Sequence, residues 1–203
     1  MPRSASSVGS TVQTVSQQLD HVMDEIIAPE IVTRRMILEP LRVDHAELCM
    51  DCLVDADLYT YVPQNPPASV NELKLRFSEL LRGSGTPDES WLNWFGRMAS
   101  SGQYVCSVQA TVRKSRRMSY LAYQTFAAFR GQGFAKEACG AVIGYLSNSH
   151  GTKLFRAEID SRNIPSRRLV ESLQFRQVAF KEKADRFKGC DSDEYVYELS
   201  TGL

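Results

Sequence analysis

At 203 residues, 43% hydrophobic and 24% charged, the chain is long enough to bury a sizeable core. Basic and acidic residues number 24 each, so the net charge is zero and nothing pulls the molecule electrostatically toward nucleic acid or a membrane surface. No apolar run approaches the roughly 20 residues of a membrane span, the N-terminus lacks a signal-peptide core, and an odd set of five cysteines in mostly apolar segments points to reduced thiols in a cytoplasmic setting.

The first ten residues are small and polar and read as disordered. Val12, Val15, Leu19, Val22 and Ile26 then follow helical spacing up to Pro29, so residues 1–30 read as an extension, disordered then helical, ahead of one domain over 31–203. Such a helix, or an open sheet, offers a surface for a homodimer. Ile31 to Leu41 reads as one strand. Asp44 with Glu47 forms a capping pair for a helix with Leu48, Cys52 and Leu53 on one face. After the link at 55–60 and the turn Gln64-Asn65-Pro66-Pro67, Ser69 with Glu72 is a second capping box. It starts a helix striped by Val70, Leu73, Phe77, Leu80 and Leu81 and broken at Gly83.

Trp91 to Met98, Tyr104 to Val112 and Met118 to Phe126 read as three consecutive antiparallel strands. In the second, Val108, Ala110 and Val112 alternate with polar residues, as in a strand with one buried face. A helix over Gly133 to Leu146, a strand over Leu154 to Asp160, a short helix begun by Asn163-Ile164-Pro165-Ser166, and strands near Phe175–Phe180 and Tyr195–Leu199 complete the chain. The fold class is α/β (α+β): a mixed, mostly antiparallel central sheet flanked by helices.

The stretch with the most chemical content is Arg130-Gly131-Gln132-Gly133-Phe134-Ala135-Lys136, at the handover from strand to helix. Two glycines in a tight turn before a helix expose several main-chain N–H groups at the positive end of a helix dipole, a setting for phosphate. A dinucleotide fingerprint needs glycine where Lys136 stands, and a nucleoside-triphosphate loop needs a Gly-Lys-Ser/Thr end; neither fits. Cys49-Met50-Asp51-Cys52 lies inside a helix with no second pair, and His21, His45 and His150 are scattered, so no metal site is expected.

The pattern Arg/Gln-x-x-Gly-x-Gly/Ala, met here by Arg130 to Ala135, resembles the coenzyme A-binding motif of the GCN5-related N-acetyltransferases. The strand Ser119-Tyr120-Leu121-Ala122-Tyr123 leading into it, and Asp160 to Phe175 with its Asn163-x-x-Ser166 helix, resemble further signatures of that family. Leu38 to Arg42 with Asp44, and Asp193 to Leu199, resemble the subgroup of ribosomal-protein N-terminal acetyltransferases, RimJ and RimL among them.

The resemblance implies an acetyl-CoA-dependent N-acetyltransferase that passes acetyl directly to a primary amine, on a peptide N-terminus or a small molecule, with no metal, nucleic-acid or membrane partner. By the same resemblance, main chain at Thr125, Phe126 and Ala127 takes the pantetheine arm. N–H groups of Gly131, Gln132, Gly133, Phe134, Ala135 and Lys136 take the pyrophosphate, with Arg130 beside it or simply solvated. Asn163 is a cofactor partner, a helix cap, or both. Ser166 sits where relatives protonate the departing thiolate, or is a plain first-turn serine. Val170 stands where many members carry a tyrosine acid, and Tyr120 replaces an acidic residue, which leaves the base open. Strand alternation sets Glu158 and Asp160 opposite Ala157 and Ile159, so Glu158 is the carboxylate candidate, against a surface acid and deprotonation through water. Gln174 replaces a glycine at the helix-to-strand turn. Tyr59, Tyr61, Trp91 and Trp94 either line the acceptor pocket or pack in the core. A silent CoA-binding module, and a transferase with another acyl donor or a hydroxyl acceptor, are the competing readings.

Overall fold

The structure, a computed structural model, describes residues 28–202; the helix expected over 12–27 lies outside them. Eight strands form one sheet in the order β1-β2-β3-β4-β5-β6-β8-β7. They are β1 (Ile31–Val32), β2 (Met36–Pro40), β3 (Glu89–Met98), β4 (Tyr104–Arg113), β5 (Met118–Thr125), β6 (Leu154–Asp160), β7 (Arg176–Phe187) and β8 (Cys190–Ser200). Every neighbouring pair is antiparallel except β5 with β6. Four helices flank the sheet: α1 (His45–Leu53), α2 (Val70–Arg82), α3 (Phe134–Ser149) and α4 (Ile164–Ser172).

Alternation along the strands builds a core on each face. Val108, Ala110 and Val112 of β4, with Phe155, Ala157 and Ile159 of β6, pack under α3 residues Ala138, Val142 and Leu146. The other face buries Phe95 and Phe126 against Ala46, Cys49 and Leu53 of α1 and Leu73 and Phe77 of α2. α2 is capped as its sequence predicts: the Glu72 N–H donates to Ser69 Oγ at 3.2 Å, and the Glu72 carboxylate accepts from the Ala68 N–H at 2.9 Å. Leu81, expected in its stripe, is exposed.

Four local expectations are corrected. The strand over 31–41 is a hairpin of β1 and β2, because the Thr33 hydroxyl bridges the Met36 carbonyl and N–H and turns the chain. Asp44 does not cap α1: its backbone is already helical, and its carboxylate pairs with the Arg42 Nε at 3.1 Å. α1 also presents His45, Ala46, Cys49 and Leu53 inward while Leu48 is exposed, a rotation from the expected face. Finally, β7 and β8 run well beyond 175–180 and 195–199. Their extra residues are largely exposed, so no apolar alternation marks them in the sequence.

Candidate functional site

β5 and β6 pair over only three positions, Met118–Leu154, Ser119–Phe155 and Tyr120–Arg156. Beyond Tyr120 the two strands part, leaving a wedge whose walls are the main chain of β5 from Leu121 to Thr125 and of β6 from Ala157 onward. A single 3-10 turn, Ala127–Phe129, then leads from β5 into the glycine turn. Gly131 (φ 74°) and Gly133 (φ 80°) both lie in the left-handed region that favours glycine. The first bond of the α3 ladder from this turn is Glu137 N–H to Gly133 O, so the N–H groups from Gly131 to Lys136 precede the ladder, at the positive end of a 16-residue helix. Gly131, Gln132 and Gly133 are exposed, whereas Phe134 and Ala135 anchor the turn in the core.

The turn is held from behind by the β1–β2 hairpin, a support with no local sequence signal. Arg35 donates to the Gln132 carbonyl at 3.0 Å and to Glu137 Oε2 at 2.7 Å, and its guanidinium lies 4.3 Å from the centre of the Phe134 ring. Glu137 also accepts from the Thr33 hydroxyl and the Arg35 N–H, both at 2.8 Å. Burial alone would raise the Glu137 carboxyl, but these bonds outweigh it and hold it below the usual range.

Arg130 is not free beside the turn: it pairs with Asp55 at 2.8 Å and Asp57 at 3.3 Å, both from the segment that follows α1. Asn163 caps α4, its side-chain oxygen accepting from the Ser166 N–H at 3.2 Å. Ser166 meets Tyr123 of β5 across the core side of the wedge: the Tyr123 hydroxyl donates to the Ser166 carbonyl at 3.0 Å and lies 2.8 Å from Ser166 Oγ. Burial pushes the Tyr123 phenol well above its ordinary value, so it stays protonated. Val170, where a tyrosine would stand, is buried in the core.

Glu158 points to solvent, opposite buried Ala157 and Ile159, and pairs with Lys181 of β7 at 3.0 Å. Asp160 shares its strand face but is buried and fully engaged by Arg162 and the Ser192 hydroxyl, a structural joint between β6 and β8. Gln174 adopts φ 70°, in the left-handed region, at the turn from α4 into β7.

A bridge joins the β7–β8 hairpin to the segment that follows α1. Lys188, at the tip of the β7–β8 hairpin, donates to three main-chain carbonyls, those of Tyr59, Val62 (3.1 Å) and Gln64 (3.0 Å). The same segment touches β5 through the Gln124 amide and the Leu58 carbonyl at 3.5 Å. Of the four aromatic candidates, Tyr59 and Trp94 are core residues bonded to the carbonyls of Leu53 and Pro29, while Trp91 lines an open cavity. No group of three or more histidine, cysteine or acidic residues suited to a metal occurs among the described residues. No helix among them is long and apolar enough to cross a membrane.

Comparison with known proteins agrees with this geometry. The family model for the acetyltransferase (GNAT) domain matches residues 35–176. No curated protein matches the sequence. Among solved structures, a GNAT-family acetyltransferase from Bacillus anthracis superposes with a TM-score of 0.74 at 16% identity, over 85% of this chain and 98% of that one. The ribosomal-protein-S5-alanine acetyltransferase of Vibrio fischeri gives 0.73 at 13% identity, over 85% and 96%. Mycobacterium smegmatis RimJ in complex with CoA-disulfide gives 0.73 at 15% identity, over 88% of each chain.

Proposed function

The chain belongs to the GNAT acetyltransferase family, whose reaction is acyl transfer from acetyl-CoA, and from that premise we propose that it acetylates a primary amine by direct attack on the acetyl-CoA thioester. One observation carries the reading: the β5–β6 ladder stops after three pairs, at Tyr120, and the free edge of β5 runs on toward the left-handed glycine turn. A wedge whose two facing strand edges are open thus leads to a cluster of N–H groups ahead of the α3 ladder, matched to an amide-rich arm ending in a pyrophosphate. The CoA-disulfide held by M. smegmatis RimJ supports the same choice of cofactor.

In this reading the N–H groups of Gly131 to Lys136 bind the pyrophosphate. Arg130 joins them by exchanging its two aspartates for phosphate. Main chain at Thr125, Phe126 and Ala127 aligns the pantetheine arm along β5, and the Asn163 amide completes that wall. The amine nitrogen attacks the thioester carbon, the C–N bond forms, and collapse of the tetrahedral species breaks the C–S bond. The thiolate is protonated through the Ser166 hydroxyl, which Tyr123 holds at 2.8 Å and which takes a replacement proton from water, so the serine ends neutral. The amine's proton leaves toward water beside Glu158, whose charge Lys181 holds in place. Holding both reactants together supplies much of the acceleration, so no covalent enzyme intermediate is required.

The test is thiol release from acetyl-CoA with a panel of primary amines, run beside a CoA titration. Release above the uncatalysed rate, with kcat reduced about tenfold or more by Ser166→Ala at unaltered CoA affinity, is the expected result. Tight CoA binding with no release for any amine would instead identify a silent CoA-binding module.

A further inference from the structure

On the sheet face opposite α3, beyond the wedge, a cavity of about 360 Å³ is lined by Leu80, Glu89, Trp91, Gln109, Thr111, Arg113 and Tyr120. Its size is that of a small-molecule pocket. Strand register explains its shape. Trp91, Thr111 and Tyr120 form one row across β3, β4 and β5, with Trp91 paired to Thr111 and Thr111 to Tyr120. The two aromatic side chains therefore stand on strands separated by one other, about 9.6 Å apart, with the short Thr111 as the floor. A flat ring needs about 7 Å between two such walls.

Two of the polar side chains lining this slot are uncommitted, while Glu89 and Arg113 are paired with each other. Gln109 and Thr111 have no side-chain hydrogen-bond partner among the described residues. Arg113 Nε is buried with no hydrogen-bond acceptor, although Glu89 lies 3.2 Å away as its counter-charge. Glu89 is also committed to the Trp91 indole N–H, at 2.8 Å, which fixes that ring. Two guanidinium groups lie over the Tyr120 ring, that of Arg113 at 5.5 Å and that of Arg156 at 5.8 Å from its centre. Toward the wedge, the next row is Asn93–Gln109–Ala122. Exposed Ala122, roughly 7 Å further along β5 than Tyr120, leaves the slot open to the wedge that begins where β5 leaves β6 after Tyr120.

We propose that this slot selects the acceptor: an amine carried on a planar aromatic ring, the ring lying between Trp91 and Tyr120 over Thr111, with a hydrogen-bond acceptor at its far end for Arg113. The amine on a short chain then projects past Ala122 into the wedge. This rests on the acyl-transfer reading above, and the two are separable by experiment.

Three primary amines serve as probes with acetyl-CoA: tyramine, phenethylamine and hexylamine. Thiol release should show kcat/KM for phenethylamine at least tenfold above hexylamine, and tyramine several-fold higher again. Trp91→Leu should bring the phenethylamine to hexylamine ratio close to one, whereas Trp91→Phe, which keeps a ring, should retain most of it. Binding is read independently of turnover from quenching of Trp91 fluorescence by tyramine. The other tryptophan, Trp94, is buried, so the quench should vanish in Trp91→Phe. Equal turnover of all three amines without quenching would overturn the slot. Quenching without thiol release from any amine would uphold the slot and overturn acyl transfer.

Discussion

At the scale of single residues, the decisive arrangement is Arg35 behind the glycine turn. Glu137 sits in the first turn of α3, where a carboxylate suits the helix dipole but opposes an incoming pyrophosphate. Arg35 cancels that charge and at the same time holds the Gln132 carbonyl, so in the proposed reading it would position the turn and neutralise its surroundings for the cofactor. Arg35→Ala should therefore weaken CoA binding about tenfold or more, roughly 1.4 kcal/mol. Arg35→Ala with Glu137→Gln should recover part of the loss, because the uncompensated charge is gone. Isothermal titration with CoA and with a pantetheine lacking the pyrophosphate checks this: the first should show both effects and the second neither. A double variant no better than the single one would assign Arg35 to folding alone. The Arg130 expectation is sharpened at the same scale, since its guanidinium is held by Asp55 and Asp57 in this structure.

At the scale of elements, the long β7–β8 hairpin acts as an arm whose tip Lys188 fastens to the segment after α1. An ammonium donating to three carbonyls has all its protons placed. Nothing else in that exposed arm buries enough apolar surface to hold it, since β7 is exposed at nearly every position. Lys188→Met should free the arm. Hydrogen exchange of residues 59–64 and 183–192 should rise by tenfold or more, with α3 and β4 unaffected. Unchanged exchange in both segments would show that the ladder alone carries the arm. The same element explains why sequence reading stopped short at 180 and began again at 195. A strand with solvent on both faces has no hydrophobic alternation to reveal it.

At the scale of the molecule, a buried cluster around Glu39 should contribute strongly to acid unfolding. Glu39 is bonded to Arg97 at 2.6 Å, to Tyr104 at 2.9 Å and to fully buried His45 at 3.3 Å, joining β2, β3, β4 and α1. Burial by itself would raise the Glu39 carboxyl, but those donors outweigh it and hold it at about 2, against an ordinary 4.5. A depressed carboxyl stabilises the fold above pH 4.5, and that stability is lost as pH falls from 4.5 through 2. Burial lowers the His45 pKa from 6.5, so only the unfolded chain takes up that proton at first, and stability declines from pH 6.5 downward. Both groups act in the same direction. Urea titrations between pH 7 and 3 should show stability falling from about 6.5 and steepening below 4.5. Glu39→Gln should cost up to about 3 kcal/mol at pH 7, with the deficit narrowing toward pH 3. A deficit independent of pH would remove the cluster from the linkage.

What the sequence determined by itself is local. Left-handed backbone at Gly131 and Gly133, the Ser69–Glu72 cap, the buried alternation of β4 and β6 and the Asn163 cap follow from interactions among residues a few positions apart. Those periods and turns carried the mixed sheet and the strand order up to the glycine turn, while the family followed from the resemblance of the Arg130–Ala135 and Asp160–Phe175 motifs. Tertiary structure decided whatever depends on distant partners: Arg35 reaching Glu137 across 102 positions, Lys188 reaching Tyr59 across 129, Tyr123 finding Ser166, and Trp91 and Tyr120 brought into one row by register. Such pairs leave no trace in local periodicity. A side chain's partner across a sheet is fixed by the register of strands far apart in the chain, and a one-residue slip would turn every one of these side chains to the other face.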